Sequence, residues 1–468
     1  MSKPAASPES SVTSASIPLG IFGPIFRNRE IAVGLDALGQ FVLARPRTIL
    51  VDSQDDAKVL RGLVKAARAS RDATRRKTSK EPDPIEVAGV VAFDVSIDEP
   101  PLEGPAAIWR IEPASTAVDR ANADGEAMLN SVFFGAPGSI TGNPLGVAAS
   151  YAGAFPFVGD VVTVANDQKV LLSTAQPTSA PLTLSKALNI AGASRPRVLV
   201  LDTGLRTEGG LGARPEHPEL QNCRCHTGWR TASGVDVIDD EDEKDADDNR
   251  TLDFEAGHGT FISGVIRQAC PDAEIFNTGV LSSFGDGSIW GLLKSLKRIL
   301  DIMTQSSGPP DVVVMSFGGY FPLDEPGFLG QALTRLLGDA VIVAAAGNDT
   351  TCRPHFPAAL PDVVGVGGLQ TDGKAWFSNF GGWVDACAPA VDVVSTFFTE
   401  FEEQIGGKES RRYTGWARWS GTSFAAPKVA AAIAQEQYLR GITAREAWRR
   451  LGSHQLYRYP DLGIVFNV

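Results

Sequence analysis

The sequence predicts an α/β protein: a mainly parallel sheet covered by helices on both faces, preceded by a smaller α/β N-terminal region. Three observations predict this. From Arg195 onward, short apolar runs alternate with stretches of helical spacing. Those runs are apolar throughout rather than alternating with polar residues, which is the pattern of strands buried on both faces. The chain is also long enough, at 468 residues and 43% hydrophobic, to bury a large core.

The elements follow in order. Residues 1–20 are rich in Ser, Pro and Ala and read as a disordered arm. Residues 21–190 form an N-terminal region of regulatory or pro-segment-like character. Within it Arg47 to Asp52 reads as a strand, and Asp55 to Ala69 as a helix with Val59, Leu60, Leu63, Val64 and Ala67 on one face. The charged stretch from Arg68 to Pro84 reads as a solvated linker, and Val87 to Val95 as a single strand. From Gly135 to Ser185 the chain is too rich in Gly, Pro, Ser and Ala for its elements to be read. Residues 191–468 form the larger domain. Its strands are read at Arg197 to Leu201, Glu274 to Val280, Asp311 to Met315, Ala340 to Ala345 and Val363 to Val366. Helices are read at Ile289 to Thr304 and Phe328 to Leu337.

Charge and cysteine content exclude several classes. There are 43 basic and 55 acidic residues, a net charge of −12. That balance gives no support to a nucleic-acid partner or a polybasic membrane anchor. Five cysteines are too few and too scattered for a disulfide scaffold. The N-terminus lacks the apolar stretch of a secretory signal. The most apolar window, Leu145 to Val164, is broken by Pro156 and Asp160 and makes a poor membrane span. The expected location is cytoplasmic, with no membrane partner.

In parallel sheets ligands bind beyond the carboxyl ends of the strands. Four segments lie at such ends or at helix starts: VLVLDTGL with Asp202, GHGTFISGVI with His258, VIVAAAGND with Asn348, and WSGTSFAAPKVAAAIA with Ser423. Each alone has a plainer reading, as a helix cap, a tight turn or a strand exit. Together they supply a carboxylate, an imidazole, a hydroxyl and a side-chain amide. That is the set needed for nucleophilic acyl transfer with a stabilised oxyanion.

The order Asp, His, Asn, Ser within DTG, GHGT, AAGN and GTSxAxP resembles the subtilisin-like serine peptidases, the subtilase family, over about residues 195–451. His217-Pro218-Glu219-Leu220, Met315 to Gly319 and Phe356-Pro357-Ala358 match further family segments. The acidic pair and oxyanion aspartate of the sedolisin family are not matched, since His258 and Asn348 stand there. The resemblance implies a subtilisin-like fold and a serine endopeptidase acting on polypeptide substrates through an acyl-enzyme. Ser423 would be the nucleophile, His258 the general base, Asp202 its orienting carboxylate and Asn348 the oxyanion donor. Substrate would lie along Ser316, Phe317 and Gly318. Ala345, Ala346 and Gly347 would wall the pocket for the residue before the cut bond, leaving room for a large side chain. His355 falls near the pocket base by position, and equally reads as a loop histidine facing solvent. A cis Phe356-Pro357 peptide is also implied.

Some features depart from the family. Asp236 to Asp248 holds nine carboxylates in thirteen residues. It reads as a solvated acidic loop, with a structural calcium site as the sharper alternative. Cys223-Arg224-Cys225-His226 is too tightly spaced for a zinc site. Lys428 follows Pro427, where some relatives carry histidine. The chemistry requires no cofactor. The N-terminal region is expected to restrain the peptidase, and a regulatory protein partner acting through it stays open. Two rival readings remain: a catalytically silent peptide-binding pseudoenzyme, and a narrow processing protease for one partner.

Overall fold

The computed structural model describes residues 32–35, 41–52, 86–87, 90–94, 109–110 and 127–134. It also describes 188–467 apart from 189, 209–213, 222, 226–241, 247, 322–325, 406–408 and 455–456. The expected helix at Asp55 to Ala69, the arm, and the Gly/Pro-rich stretch to Ser185 lie outside the described residues.

The N-terminal region contributes β1 (Ala32–Leu35), β2 (Phe41–Asp52), β3 (Glu86–Val87), β4 (Val90–Asp94), β5 (Trp109–Arg110) and β6 (Ala127–Phe134). The long β2 pairs antiparallel with β1, β4 and β6. One expectation is corrected here. Val87 to Val95 is not a single strand, because β3 and β4 pair antiparallel through Val87 and Val90. Antiparallel pairing of two strands this close in the chain makes them the arms of a hairpin.

The larger domain opens with β7 (Arg197–Asp202) and the short β8 (Arg224–Cys225). Helix α1 (His258–Ala269) leads to β9 (Glu274–Gly279) and β10 (Asp286–Ser288). Helix α2 (Ile289–Ser306), β11 (Val312–Met315), α3 (Pro326–Leu337) and β12 (Val341–Ala345) follow. Then come β13 (Val363–Gln370), β14 (Gly373–Lys374), β15 (Ala386–Pro389), β16 (Val393–Thr396) and α4 (Thr422–Arg440). The sheet runs β8-β9-β7-β11-β12-β13-β15, every one of these pairs parallel. The strands read from the sequence are found, and the sheet is the α/β arrangement expected.

Alternation along β7 shows why its residues are apolar throughout. Val198 and Val200 face one core with Phe261, Ile262, Phe424 and Ala425 of α1 and α4. Leu199 and Leu201 face the other core, with Leu292, Leu293, Leu329 and Leu333 of α2 and α3. A strand covered on both faces has no solvent side on which to place a polar residue.

Two features tie the N-terminal region to this domain. Leu50, Val87 and Val90 are buried in the same core as Trp290, Leu293 and Leu296 of α2. The segment β6 also pairs antiparallel with β10, setting Phe134 opposite Asp286, Phe133 opposite Gly287 and Val132 opposite Ser288. Among the described residues, no helix is long and apolar enough to cross a membrane.

Candidate active site

The sheet register builds the site. Leu201 lies opposite Met315, and Met315 opposite Ala344. The next residues along the chain, Asp202, Ser316 and Ala345, therefore stand level at the carboxyl edge of these strands. Helices α1 and α4 both begin at this edge. Helix α1 comes very close to the turn after β7: a side chain on Gly259 would meet the Gly204 carbonyl oxygen at 2.2 Å. Only glycine allows that approach.

Asp202, His258, Asn348 and Ser423 are all buried, at 0, 0, 2 and 1% exposure, so the four residues meet away from bulk water. His258 Nδ1 and Asp202 Oδ1 are 2.7 Å apart. The Thr203 amide also donates to Asp202 Oδ1. The imidazole packs edge-on to Trp419 at 5.6 Å and against Phe424 at 5.4 Å between centroids, which brings it to the first turn of α4. Burial disfavours the imidazolium, yet the charges of Asp202 and Glu255 outweigh burial and hold His258 above the usual histidine range.

Ser423 stands in the first turn of α4, behind the Gly421-Thr422 entry. Its hydroxyl donates to the Ser316 carbonyl at 3.1 Å, and the Ser316 hydroxyl donates to the Ser423 carbonyl at 2.8 Å. Pro427, four residues on, explains the second bond. Proline has no N–H to give the Ser423 carbonyl, so that carbonyl is available to Ser316. The structure thus closes the carboxylate–imidazole contact. It places the serine hydroxyl on Ser316 rather than on His258 Nε2, which has no hydrogen-bond partner among the described residues.

Asn348 is fixed through its carbonyl oxygen, which accepts from the Thr422 amide and hydroxyl, both at 2.9 Å. The amide nitrogen is its remaining donor. Phe317 is buried in the core that also holds α2. Beyond it, Gly319 pairs with Phe356. Phe356-Pro357 is cis.

His355 lies beside this strand. It is 1% exposed, so of its two readings the solvent-facing loop residue is excluded. A side chain on Gly318 would meet its Cε1 at 2.3 Å, and one on Gly347 its Nδ1 at 3.1 Å, so the ring lies directly against both glycines. Burial pulls His355 down to about 4, so it is neutral at physiological pH.

The acidic run also departs from expectation at the residue that matters most. Asp242 is fully buried. It accepts from the Gly257 amide at 2.8 Å, the Thr203 hydroxyl at 3.1 Å, the Thr260 hydroxyl at 2.8 Å and the Thr260 amide at 3.1 Å. The cap residue of α1, Gly257, has no side chain to satisfy the first amides, and Asp242 does so from fifteen positions upstream. Burial raises its carboxyl to about 6 against the pull of these donors. Asp236 to Glu241 and Asp247 lie outside the described residues, as does His226. Among the described residues, no three His, Cys, Asp or Glu side chains are grouped to hold a metal. Lys428 is half-buried on α4, and burial lowers its amine to about 8.

Glu255, three residues before His258, was not singled out by its sequence context. It is fully buried with an oxygen 3.7 Å from His258 Nε2.

A parallel sheet with an aspartate–histidine pair at its carboxyl edge, a serine opening α4 and a fixed amide beside it has the layout of a serine-hydrolase centre. Residues 194–452, more than half of the chain, match the subtilase family, and the chain belongs to it. It is 29% identical over 259 residues to a cuticle-degrading serine protease of Arthrobotrys oligospora (strain ATCC 24927 / CBS 115.81 / DSM 1491), covering 54% of each chain. It is 28% identical to an intracellular serine protease of Paenibacillus polymyxa, over 51% of this chain and 65% of the relative. It is 27% identical to thermitase of Thermoactinomyces vulgaris, over 52% of this chain and 76% of the relative. A solved cold-adapted subtilisin-like serine proteinase aligns over 57% of this chain and 85% of its own, at 24% identity and a TM-score of 0.41. The chain spans about half to two thirds of the length of the first two relatives.

The capping role of Asp242 is directly testable. Asp242→Ala leaves four donors unsatisfied at the start of the helix that carries His258. It should lower unfolding free energy by about 3 kcal/mol or more, read as a drop in the denaturant midpoint at unchanged slope.

Proposed function

We propose that the chain is a serine endopeptidase acting on polypeptides, restrained by its N-terminal region. The observation that carries this reading is the 2.7 Å Asp202–His258 contact at the edge where Ser423 opens α4. Asp202 keeps Nδ1 protonated and aims Nε2 outward. Rotation of the Ser423 hydroxyl about its side-chain bond, away from Ser316, offers its proton to Nε2. The serine oxygen then attacks the peptide carbonyl, and His258 returns the proton to the leaving amine. The oxyanion faces the amide nitrogen of Asn348 and the N-terminus of α4, the positive end of the helix dipole. The extended substrate adds a strand along Ser316 to Gly318. No metal or cofactor enters these steps. The free cysteines Cys223, Cys270, Cys352 and Cys387 fit an intracellular setting.

Restraint is supported by the β6–β10 pairing. Strand β10 follows the loop whose Ser283 carbonyl accepts from the Glu255 amide at 2.8 Å, so β6 lies on a segment packed against the His258 loop. Through that segment the N-terminal strand biases the loop that carries Glu255 and His258.

Three outcomes follow. A fluorophosphonate probe should label the wild type and fail on Ser423→Ala, which separates a peptidase from a silent binding protein. In the same assay series Asn348→Ala should lose about 3–4 kcal/mol of transition-state stabilisation, roughly 10²–10³ in kcat. Leu50→Asp combined with Val90→Asp should undock the N-terminal sheet from α2 and raise peptide turnover by the intact chain. Turnover equal to wild type would remove the case for restraint.

A further inference from the structure

Glu255 presents a problem that the proposed mechanism does not use. It is 0% exposed, and neither carboxylate oxygen has a hydrogen-bond partner among the described residues. A buried carboxylate without partners is strongly unfavourable, so its one close approach carries weight. That approach is Oε2 to His258 Nε2 at 3.7 Å, an ion-pair distance too long for a hydrogen bond. Nε2 is the nitrogen that must receive the Ser423 proton. The Ser423 hydroxyl meanwhile donates to Ser316. The imidazole thus stands between two carboxylates, Asp202 on its Nδ1 side and Glu255 on its Nε2 side.

The backbone fixes Glu255 in this position. Its amide donates to the Ser283 carbonyl at 2.8 Å, and the His258 amide donates to the Glu255 carbonyl at 3.0 Å. Its side chain lies across Gly285, where an added Cβ would come within 2.3 Å of the Glu255 Cγ. Gly285 has a φ of +86°, a left-handed backbone that favours glycine, so the seat is specific.

We propose that Glu255 is a positioning residue of the proposed triad: its carboxylate holds the Nε2 side of the His258 imidazolium and competes with Ser423 for that nitrogen. The inference rests on the serine-peptidase reading for its consequence, not for its geometry. While the imidazolium sits between Asp202 and Glu255, the serine hydroxyl stays on Ser316 and is not activated. Loss of the Nε2 proton to solvent frees that lone pair for the hydroxyl.

The charged groups around the pair are Asp202 from β7 and Asp242 from the segment before α1. Asp253 of that segment accepts from the Ser283 hydroxyl and the Ala246 amide. Its cation, Lys244, is engaged with Glu216 and the Glu400 carbonyl. Asp286 of the β10 segment accepts from the Ser282 hydroxyl. From the α4 side the imidazole meets Trp419 and Phe424, which carry no charge. Burial raises the Glu255 carboxyl, the His258 charge draws it back, and Asp202 and Asp242 push it up again.

The test uses the full chain labelled with ¹³C-histidine, its five histidines assigned by loss of one resonance in His258→Ala. In Glu255→Gln the His258 titration midpoint should fall by about 1–3 pH units, the shift expected from removing an opposite charge within about 4–6 Å. Fluorophosphonate labelling of the same variant should have its acid limb displaced downward by the same amount. At neutral pH it should be faster by up to about tenfold for each unit, levelling off once the midpoint falls below the assay pH. Glu255→Asp, which keeps the charge but withdraws it by one methylene, should give a midpoint between the two. It decides the matter if the Gln variant does not fold. An unchanged midpoint in whichever variant folds would overturn the proposal. Failure of both wild type and Glu255→Gln to label at any pH would instead sink the peptidase reading, and the midpoint would still report on Glu255.

Discussion

Everything at the site depends on the parallel register of β7, β11 and β12. Because Leu201, Met315 and Ala344 are level, Asp202, Ser316 and Ala345 emerge level too. A shift of one residue in any of these strands would exchange its two faces and disrupt both cores at once. Two-sided burial therefore fixes the height of each group more firmly than any contact within the site. The helices then need only start at the same edge. The mutual Ser316–Ser423 hydrogen bonds hold the α4 start to the end of β11. Pro427 makes that arrangement available by withholding the N–H that would have claimed the Ser423 carbonyl.

The same edge concentrates buried polar groups, and they are treated unequally. Asp242 meets four donors from β7 and α1, so its burial is matched by hydrogen bonds. Asn348 is held on one side by Thr422, whose amide and hydroxyl both donate to its carbonyl oxygen. Among the described residues Glu255 has no such donors, and Asp202 keeps one oxygen, Oδ2, without a partner. The carboxylate that serves the helix cap is saturated, and the two beside the imidazole are not. A fold that can saturate Asp242 from a segment fifteen residues upstream can supply donors. The shortage at Glu255 is thus local to the reacting nitrogen.

Much of this was legible in the sequence, for physical reasons. Strands buried on both faces carry uninterrupted apolar runs, and Asp202, His258, Asn348 and Ser423 stand in short segments whose chemistry is complete only when combined. What escaped reading depended on distant partners. Asp242 looks like one more solvated acid in an acidic run, because nothing local shows that it reaches the amides of α1. His355 is equally compatible with solvent or pocket until Gly318 and Gly347 are seen to lie against its ring. The β3–β4 hairpin was hidden because Val87 and Val90 share the apolar character of one continuous strand. Glu255 belongs to no motif, and its meaning arises only from the 3.7 Å approach to Nε2.

The segment from Ser282 to Ser288 links the N-terminal sheet to the imidazole. At its far end β10 receives β6, and at its near end Ser283 and Gly285 seat Glu255. A strand bound to β10 and a proton bound to His258 therefore act on one stretch of backbone. If the bound strand favours the placement of Glu255 that holds the imidazolium, linkage requires the converse: protonation of His258 must strengthen the hold of the N-terminal strand by the same factor. The size of that factor is limited by how differently the segment sits in the two states. A short segment pinned at Gly285 has little freedom to sit differently without losing the left-handed turn. The coupling is therefore expected to act through displacement of the Glu255 side chain rather than through movement of the strand itself.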